Sequence, residues 1–244
     1  MKLQRLMSHI RSALEQYNMI EDGDRIAVGL SGGKDSVAML AALAEMRRFY
    51  PKKYELVAIT LDYRFHNKDG DFSQLAELCR RLGVKYVIKK TELYNIIFEV
   101  RKEKNPCSLC ARMRRGLLHD TAKELGCNKI ALGHHLDDAV ETFMMNLLNG
   151  GTISCFSPIT YLSRKDIYSI RPMVLTPEKV VLSAVKNANL PIVKSKCPAD
   201  GETERERMKE FIWNLERNEG YDGLRDKIIG ALQRKDIDGW GIEK

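Results

Sequence analysis

The sequence predicts an α/β fold: a parallel sheet with helices on both faces, followed by a small, mostly helical C-terminal part. Two observations carry this. Short runs rich in Val, Ile, Leu and Ala alternate with helix-period segments through residue 150, the pattern of βαβ units whose sheet is covered on both sides. The first run also ends in a serine- and glycine-rich turn that opens a helix, where open α/β sheets hold anions.

The elements follow in order. Residues 1–22 carry charged and apolar residues at helical spacing and predict an N-terminal helix. Strands are expected at 25–30, 55–62, 85–89 and 129–132, with helices at 35–48, 72–82, 111–125 and 138–149 between and after them. Gly150 and Gly151 close that alternation. Domain limits are therefore set at 23–150 for the α/β unit and 151–244 for the remainder. In the remainder, 160–163 and 166–170 suit a short hairpin around Arg164 and Lys165. Pro177 suits the first position of a helix over 177–188, and residues 203–216 form a strongly charged helical pattern. The stretch 223–244 reads as one more helix and a loose end.

Ser31-Gly32-Gly33-Lys34-Asp35-Ser36 is the densest motif. Its glycines let the backbone approach an oxyanion, and the first helical N–H groups have no partner inside the helix. Ser31 and Ser36 add hydroxyls and Lys34 adds charge. The spacing from Gly29 to Lys34 is one residue short of G-x-x-x-x-G-K-[ST]. The pattern S-G-G-x-D-S instead resembles the signature of the PP-loop ATP pyrophosphatases, which split ATP into AMP and pyrophosphate. An ordinary glycine turn would need none of the Ser, Lys or Asp.

Leu132-Gly133-His134-His135-Leu136-Asp137-Asp138 stands at the end of the fourth strand, on the same sheet edge. One aspartate could cap the helix that follows. Two beside a phosphate loop suit Mg²⁺, a hard cation that takes carboxylates, water and substrate phosphates. Asp62, ending the second strand, and Asp35 in the loop add carboxylates to that edge. His134 is expected to support the nucleotide site together with Gly133.

Six cysteines occur with no export signal, which favours thiols or metal ligands over disulfides. Cys107 and Cys110 form a C-x-x-C, which serves a redox dithiol, half a zinc site or an iron–sulfur site. Cys197 is the natural distant third ligand. Cys79 and Cys127 fall at apolar positions and are expected to be buried and inert, while Cys155 stays ambiguous. Arg112, Arg114 and Arg115 follow the pair, and Arg101, Lys102 and Lys104 precede it. With 40 Lys and Arg against 33 Asp and Glu, the net charge of +7 suits a nucleic-acid partner. No apolar run reaches membrane-spanning length, and a soluble, cytoplasmic protein is expected.

Together, S-G-G-K-D-S, P-C-S-L-C-A-R-M-R-R-G, L-G-H-H-x-D-D-x-x-E-T and the later Cys197 resemble the tRNA 2-thiocytidine synthetase family, within the PP-loop superfamily. The resemblance implies ATP-dependent thiolation of cytidine 32 in tRNA, through an adenylated base. It implies Mg²⁺ on Asp137 and Asp138 and a [4Fe-4S] cluster on Cys107, Cys110 and Cys197. Catalytic roles would fall to Asp35, Asp62, Asp137 and Arg114. A sulfur donor such as a cysteine desulfurase would be a partner, and the family is often homodimeric. The segment around Cys197 is shorter than the family pattern, and the tail after Trp213 departs from it. Other PP-loop tRNA-modifying ligases, of the thiouridine or lysidine type, share the loop; the lysidine type needs no C-x-x-C. A non-catalytic, metal-bearing RNA-binding protein would explain charge and cysteines but not the loop with its aspartates.

Overall fold

The computed structural model describes residues 2–101, 106–194, 197 and 204–242. Eight α-helices and six strands are found among them: α1 (Gln4–Gln16), β1 (Asp24–Gly29), α2 (Lys34–Met46), β2 (Tyr54–Asp62), α3 (Ser73–Arg81), β3 (Lys85–Lys90), α4 (Pro106–Glu124), β4 (Lys129–Ala131), α5 (Leu136–Leu148), β5 (Ile159–Leu162), β6 (Ile167–Ile170), α6 (Glu178–Ala188), α7 (Glu204–Arg217) and α8 (Leu224–Arg234). The strands form one sheet in the order β3-β2-β1-β4-β6-β5. All neighbours pair in parallel except β5 and β6, which are antiparallel.

The order explains where a ligand can sit. From β1 the chain crosses to β2 on one side, and later places β4 on the other. The loops after β1 and β4 therefore diverge around a crevice at the carboxyl edge, the switch point of an open α/β sheet. The two faces are covered unequally. Ala27, Val57, Ile59, Leu61 and Ile130 pack against Leu118 and Ala122 of α4. The opposite face lies under α1, α2, α3 and α5 to α8, and α2 buries ten of its thirteen residues there. Such all-round apolarity marks a helix enclosed by other elements. At the amino edge, buried Lys129 pairs with buried Asp24 at 2.8 Å, and Asn128 donates to the same carboxylate at 2.7 Å. That network ties β1 to β4 below the crevice.

Three expectations need correction, and one element was unannounced. Residues 159–170 are a hairpin, but β6 also pairs with β4, so the sheet runs on past residue 150. Helix α4 begins at Pro106, so Cys107 and Cys110 sit in its first turns rather than before it. Residues 95–100 form a wide helical turn that no periodicity announced. The tail is not loose: after α8 a short turn delivers Trp240, fully buried, whose Nε1 donates to the Phe156 carbonyl at 2.9 Å. Expectations placed on Lys102, Lys104 and Thr203 fall outside the described residues.

Candidate active site at the carboxyl edge of the sheet

The glycine loop turns at Gly32, whose φ of +88° favours glycine. A Cβ there would also stand 2.9 Å from Val193 Cβ, and Val193 N–H donates to the Gly32 carbonyl at 3.0 Å. Val193, four residues before Cys197, thus lies over the loop. Helix α2 starts at Gly33 without a side-chain cap, leaving its first N–H groups for a ligand. Ser31 and Ser36 hydroxyls meet at 3.1 Å, and Ser36 also donates to the Gly33 carbonyl. Gly133 lets the loop after β4 close in, since a Cβ would sit 3.2 Å from the Ser36 nitrogen. Those short approaches bring residues 31–36 and 133–135 into one cradle.

Lys34 is held from two sides, 2.9 Å from Asp35 and 3.0 Å from Glu178. Burial opposes its charge, but the two carboxylates outweigh that and raise its pKa. Glu178 also meets Lys209 at 2.6 Å. Burial would raise the Glu178 pKa; the two lysines overcome it and hold the carboxyl near 2. Glu178 was not foreseen, because it lies far along the chain in a helix with no motif.

His134 was expected to support the nucleotide site, and its neighbour lies nearer the loop. His135, buried, is the one that reaches the loop, its Nε2 being 3.7 Å from Asp35. It also caps α5: its Nδ1 accepts from Asp138 N–H while the Asp138 carboxylate accepts from His135 N–H. His134 points elsewhere, stacking on Phe156 with ring centres 5.1 Å apart. Its Nδ1 is buried with no partner. Burial, with Arg171, Arg205 and Arg114 nearby, pushes its pKa down to about 4, against a smaller upward pull from Asp138.

Asp137 and Asp138 stand at the expected edge, but each oxygen already has a protein donor. Asp137 accepts from Glu178 N–H at 2.7 Å and pairs with Arg225 at 2.9 Å. Asp138 holds the α5 cap and meets Arg205 at 3.2 Å. Both act here as clasps between helices, with one donor on each oxygen. Asp62 is likewise engaged, accepting from Arg64 and Gly70 N–H groups at 3.0 Å each. Asp35 alone of the four faces the loop with only a lysine and a histidine against it, and suits a magnesium ion shared with substrate phosphates. Glu141 lies behind Asp138, buried, and burial with the Asp138 charge lifts its pKa to about 7 despite Arg205.

Cys79 and Cys127 are buried as expected, and Cys155, which the sequence left ambiguous, is buried with them. Cys107 is exposed, and Cys110 and Cys197 are half-buried. Burial raises the Cys110 pKa; Arg114 and Tyr63 oppose this, and the thiols of Cys197 and Cys107 lie near enough to add to it. The three thiols, up to 90 residues apart in the sequence, thus share one neighbourhood around Cys110, although among the described residues no three His, Cys, Asp or Glu groups enclose a metal-sized space. As soft donors they suit iron, and three thiolates leave one position of a four-iron cluster open.

Arg171, just beyond β6, was missed. It is buried, with its guanidinium 4.8 Å above the Phe156 ring and donating to the Ser157 carbonyl. Its Nε has no partner, and among the described residues it makes no ion pair. Burial, aided by Arg115, lowers its pKa to about 10 against a pull from Cys155. Its only signal in the sequence was an arginine where an apolar strand ends.

A switch-point cradle of this kind, with Cys107 and Cys110 on α4, defines a nucleotide-binding α/β protein. A model of the PP-loop domain matches residues 4–216. The chain is 39% identical to the tRNA-cytidine(32) 2-sulfurtransferase of Citrifermentans bemidjiense, over 93% of its own length and 89% of that protein's. It is 40% identical to the enzyme of the same name from Ralstonia pickettii, over 94% and 72%. Among solved structures, the U34-tRNA thiolase NcsA from Methanococcus maripaludis, described with its [4Fe-4S] cluster, superposes with a TM-score of 0.74 at 25% identity, covering 94% of this chain and 78% of that one. The chain belongs to the PP-loop family, in its branch of tRNA-cytidine(32) 2-sulfurtransferases.

Proposed function

We propose that this enzyme thiolates tRNA at the expense of ATP, replacing the 2-oxo oxygen of cytidine 32 by sulfur. The reading is carried by the uncapped anion cradle at residues 31–36 together with Cys107 and Cys197 lying near Cys110. The base oxygen attacks the α-phosphorus of ATP and pyrophosphate leaves. A sulfur nucleophile, delivered by a donor such as a cysteine desulfurase, then adds to the base carbon. AMP departs with the former base oxygen.

The chain's residues support each stage. Backbone N–H groups of the loop and the Ser31 and Ser36 hydroxyls bind the pyrophosphate, and Lys34 lies beside it. Asp35 would hold Mg²⁺ against the phosphates. Arg171, a buried guanidinium with no ion pair among the described residues, would offer preorganised positive charge to the negative charge that gathers on the pentavalent phosphorus. His134, kept neutral by its surroundings, offers no competing charge. The three thiolates would hold an iron–sulfur cluster, which when bound offers an open iron for an exogenous sulfur ligand. Arg114, exposed and close to Tyr63 and Cys110, would meet RNA phosphate.

The test is mass spectrometry of tRNA nucleosides from a strain lacking the gene. Loss of 2-thiocytidine, restored by the wild-type gene, is expected. Unchanged 2-thiocytidine with loss of another thionucleoside would reassign the target base.

A further inference from the structure

Beyond the nucleotide cradle, the loops after β2 and β3 bring four aromatic rings together. Tyr63 and Phe65 stack with centres 5.5 Å apart and planes 12° from parallel. Phe65 meets Tyr94 edge-on at 5.4 Å, and Tyr94 stacks on Phe98 at 5.3 Å. A satellite core would bury them all. Only Tyr94 is buried; Tyr63, Phe65 and Phe98 keep part of their surface in solvent.

The backbone that presents them is strained. Arg64, His66 and Asn67 adopt φ of 51°, 53° and 59°, which L residues other than glycine rarely do. Such strain persists when surroundings over-determine it, and it concentrates at ligand-binding segments. Here the buried Asp62 carboxylate grips Arg64 N–H and Gly70 N–H, and His66 Nδ1 lies 3.0 Å from the Tyr94 hydroxyl. The rings are thus fixed before any ligand arrives.

Their neighbours indicate which ligand. Tyr63 lies against Cys110 and Arg114, so one end of the row abuts the thiols. Exposed Arg112, Arg114 and Arg115 flank that end. Partly exposed π faces beside a cationic helix match RNA with an unpaired base, which stacks on aromatics while its phosphates meet arginine. We propose that Tyr63 and Phe65 form a stacking platform for an unpaired loop nucleotide of the RNA, holding it beside the cysteine site. The proposal rests on the tRNA-thiolation reading and adds to it the place where the base is received.

The probe is an anticodon stem–loop RNA carrying fluorescent pyrrolocytidine at position 32. Wild-type protein is expected to bind it and quench its emission. Tyr63→Leu and Phe65→Leu should weaken binding by about 5- to 150-fold, the range for loss of one base–aromatic stack. At saturating protein they should leave emission high, whereas Phe65→Tyr should quench like wild type. Phe65→Met keeps apolar volume without a ring and repeats the test should Phe65→Leu fail to fold, as judged by circular dichroism. Quenching by either leucine variant equal to wild type overturns the platform, as does wild-type binding without quenching. A weakened affinity of Phe65→Leu for fluorescent etheno-ATP would show that the rings hold adenine, and also overturns it. Wild-type protein that binds no stem–loop at all brings down the tRNA reading itself.

Discussion

Cys155 shows how environment, rather than identity, divides the cysteines. Its thiol is buried and directed at the Ala139 carbonyl at 3.4 Å, and burial pushes its pKa up to about 12. Cys110 shares its surroundings with two other thiols and an arginine. Cys107→Ala, Cys110→Ala and Cys197→Ala should each lose cluster iron and visible absorbance in anaerobically purified protein, while Cys155→Ala keeps both. Arg171 poses the opposite problem, a buried charge that among the described residues meets a carbonyl and an aromatic ring but no counter-ion. Replacing such a group by an apolar one of similar volume is neutral or stabilising, and removing a preorganised donor costs about 10²–10³ in turnover. Arg171→Met should therefore melt no lower than wild type while tRNA-dependent AMP release falls by about that factor. Glu141 gives a pH signature. Its folded pKa of about 7 lies above the ordinary 4.5, so the native state binds more protons between those values. Its contribution to stability is then present at low pH and is lost as pH rises through the window. His134 works the other way, losing stability as pH falls from 6.5 towards 4, so Glu141→Gln is needed to isolate the carboxyl. The variant's urea midpoint, relative to wild type, should be higher at about pH 8 than at about pH 5.

Helix α5 and its partners show what an element's sequence reveals and what it hides. Its position, its apolar face and its acidic start were all readable, as were the strands and the loop that opens α2. What could not be read was which way the acidic side chains turn. The partners of Asp137 are the start of α6 and Arg225 of α8, contributed from 41 and 88 residues downstream. No local spacing encodes such contacts. The same holds for β6, whose pairing with β4 depends on a neighbour far away in the chain. Asp137→Ala removes a cap and one partner of a half-buried ion pair. A cost of about 1–3 kcal/mol follows, read as a lowered urea midpoint, and α8 should exchange its amide hydrogens faster. Loss of turnover without loss of stability would return Asp137 to the metal site.

At the scale of the molecule, the basic balance of the chain becomes directional at Arg112, Arg114 and Arg115, exposed on α4 beside the thiols. Each phosphate neutralised contributes about 0.7–0.9 to the slope of log affinity against log salt. Arg114→Ala with Arg115→Ala should lower that slope for tRNA by about 1.4–1.8 if each meets one phosphate, measured by filter binding. An unchanged slope would put the RNA on another face. Charge and motif pointed to an RNA partner, whereas the aromatic row at residues 63–98 had no motif because it is assembled from two loops.

The docked tail gives the molecule an optical gauge of its own integrity. Its two tryptophans occupy opposite environments, Trp213 about half exposed and Trp240 sealed between Tyr17 and the Phe156 backbone. Trp213 should emit to the red and be reached by acrylamide; Trp240 should emit to the blue and resist it. Because Phe156 also carries His134 and Arg171 on its ring, any event that loosens the floor beneath those two groups will shift the blue component first.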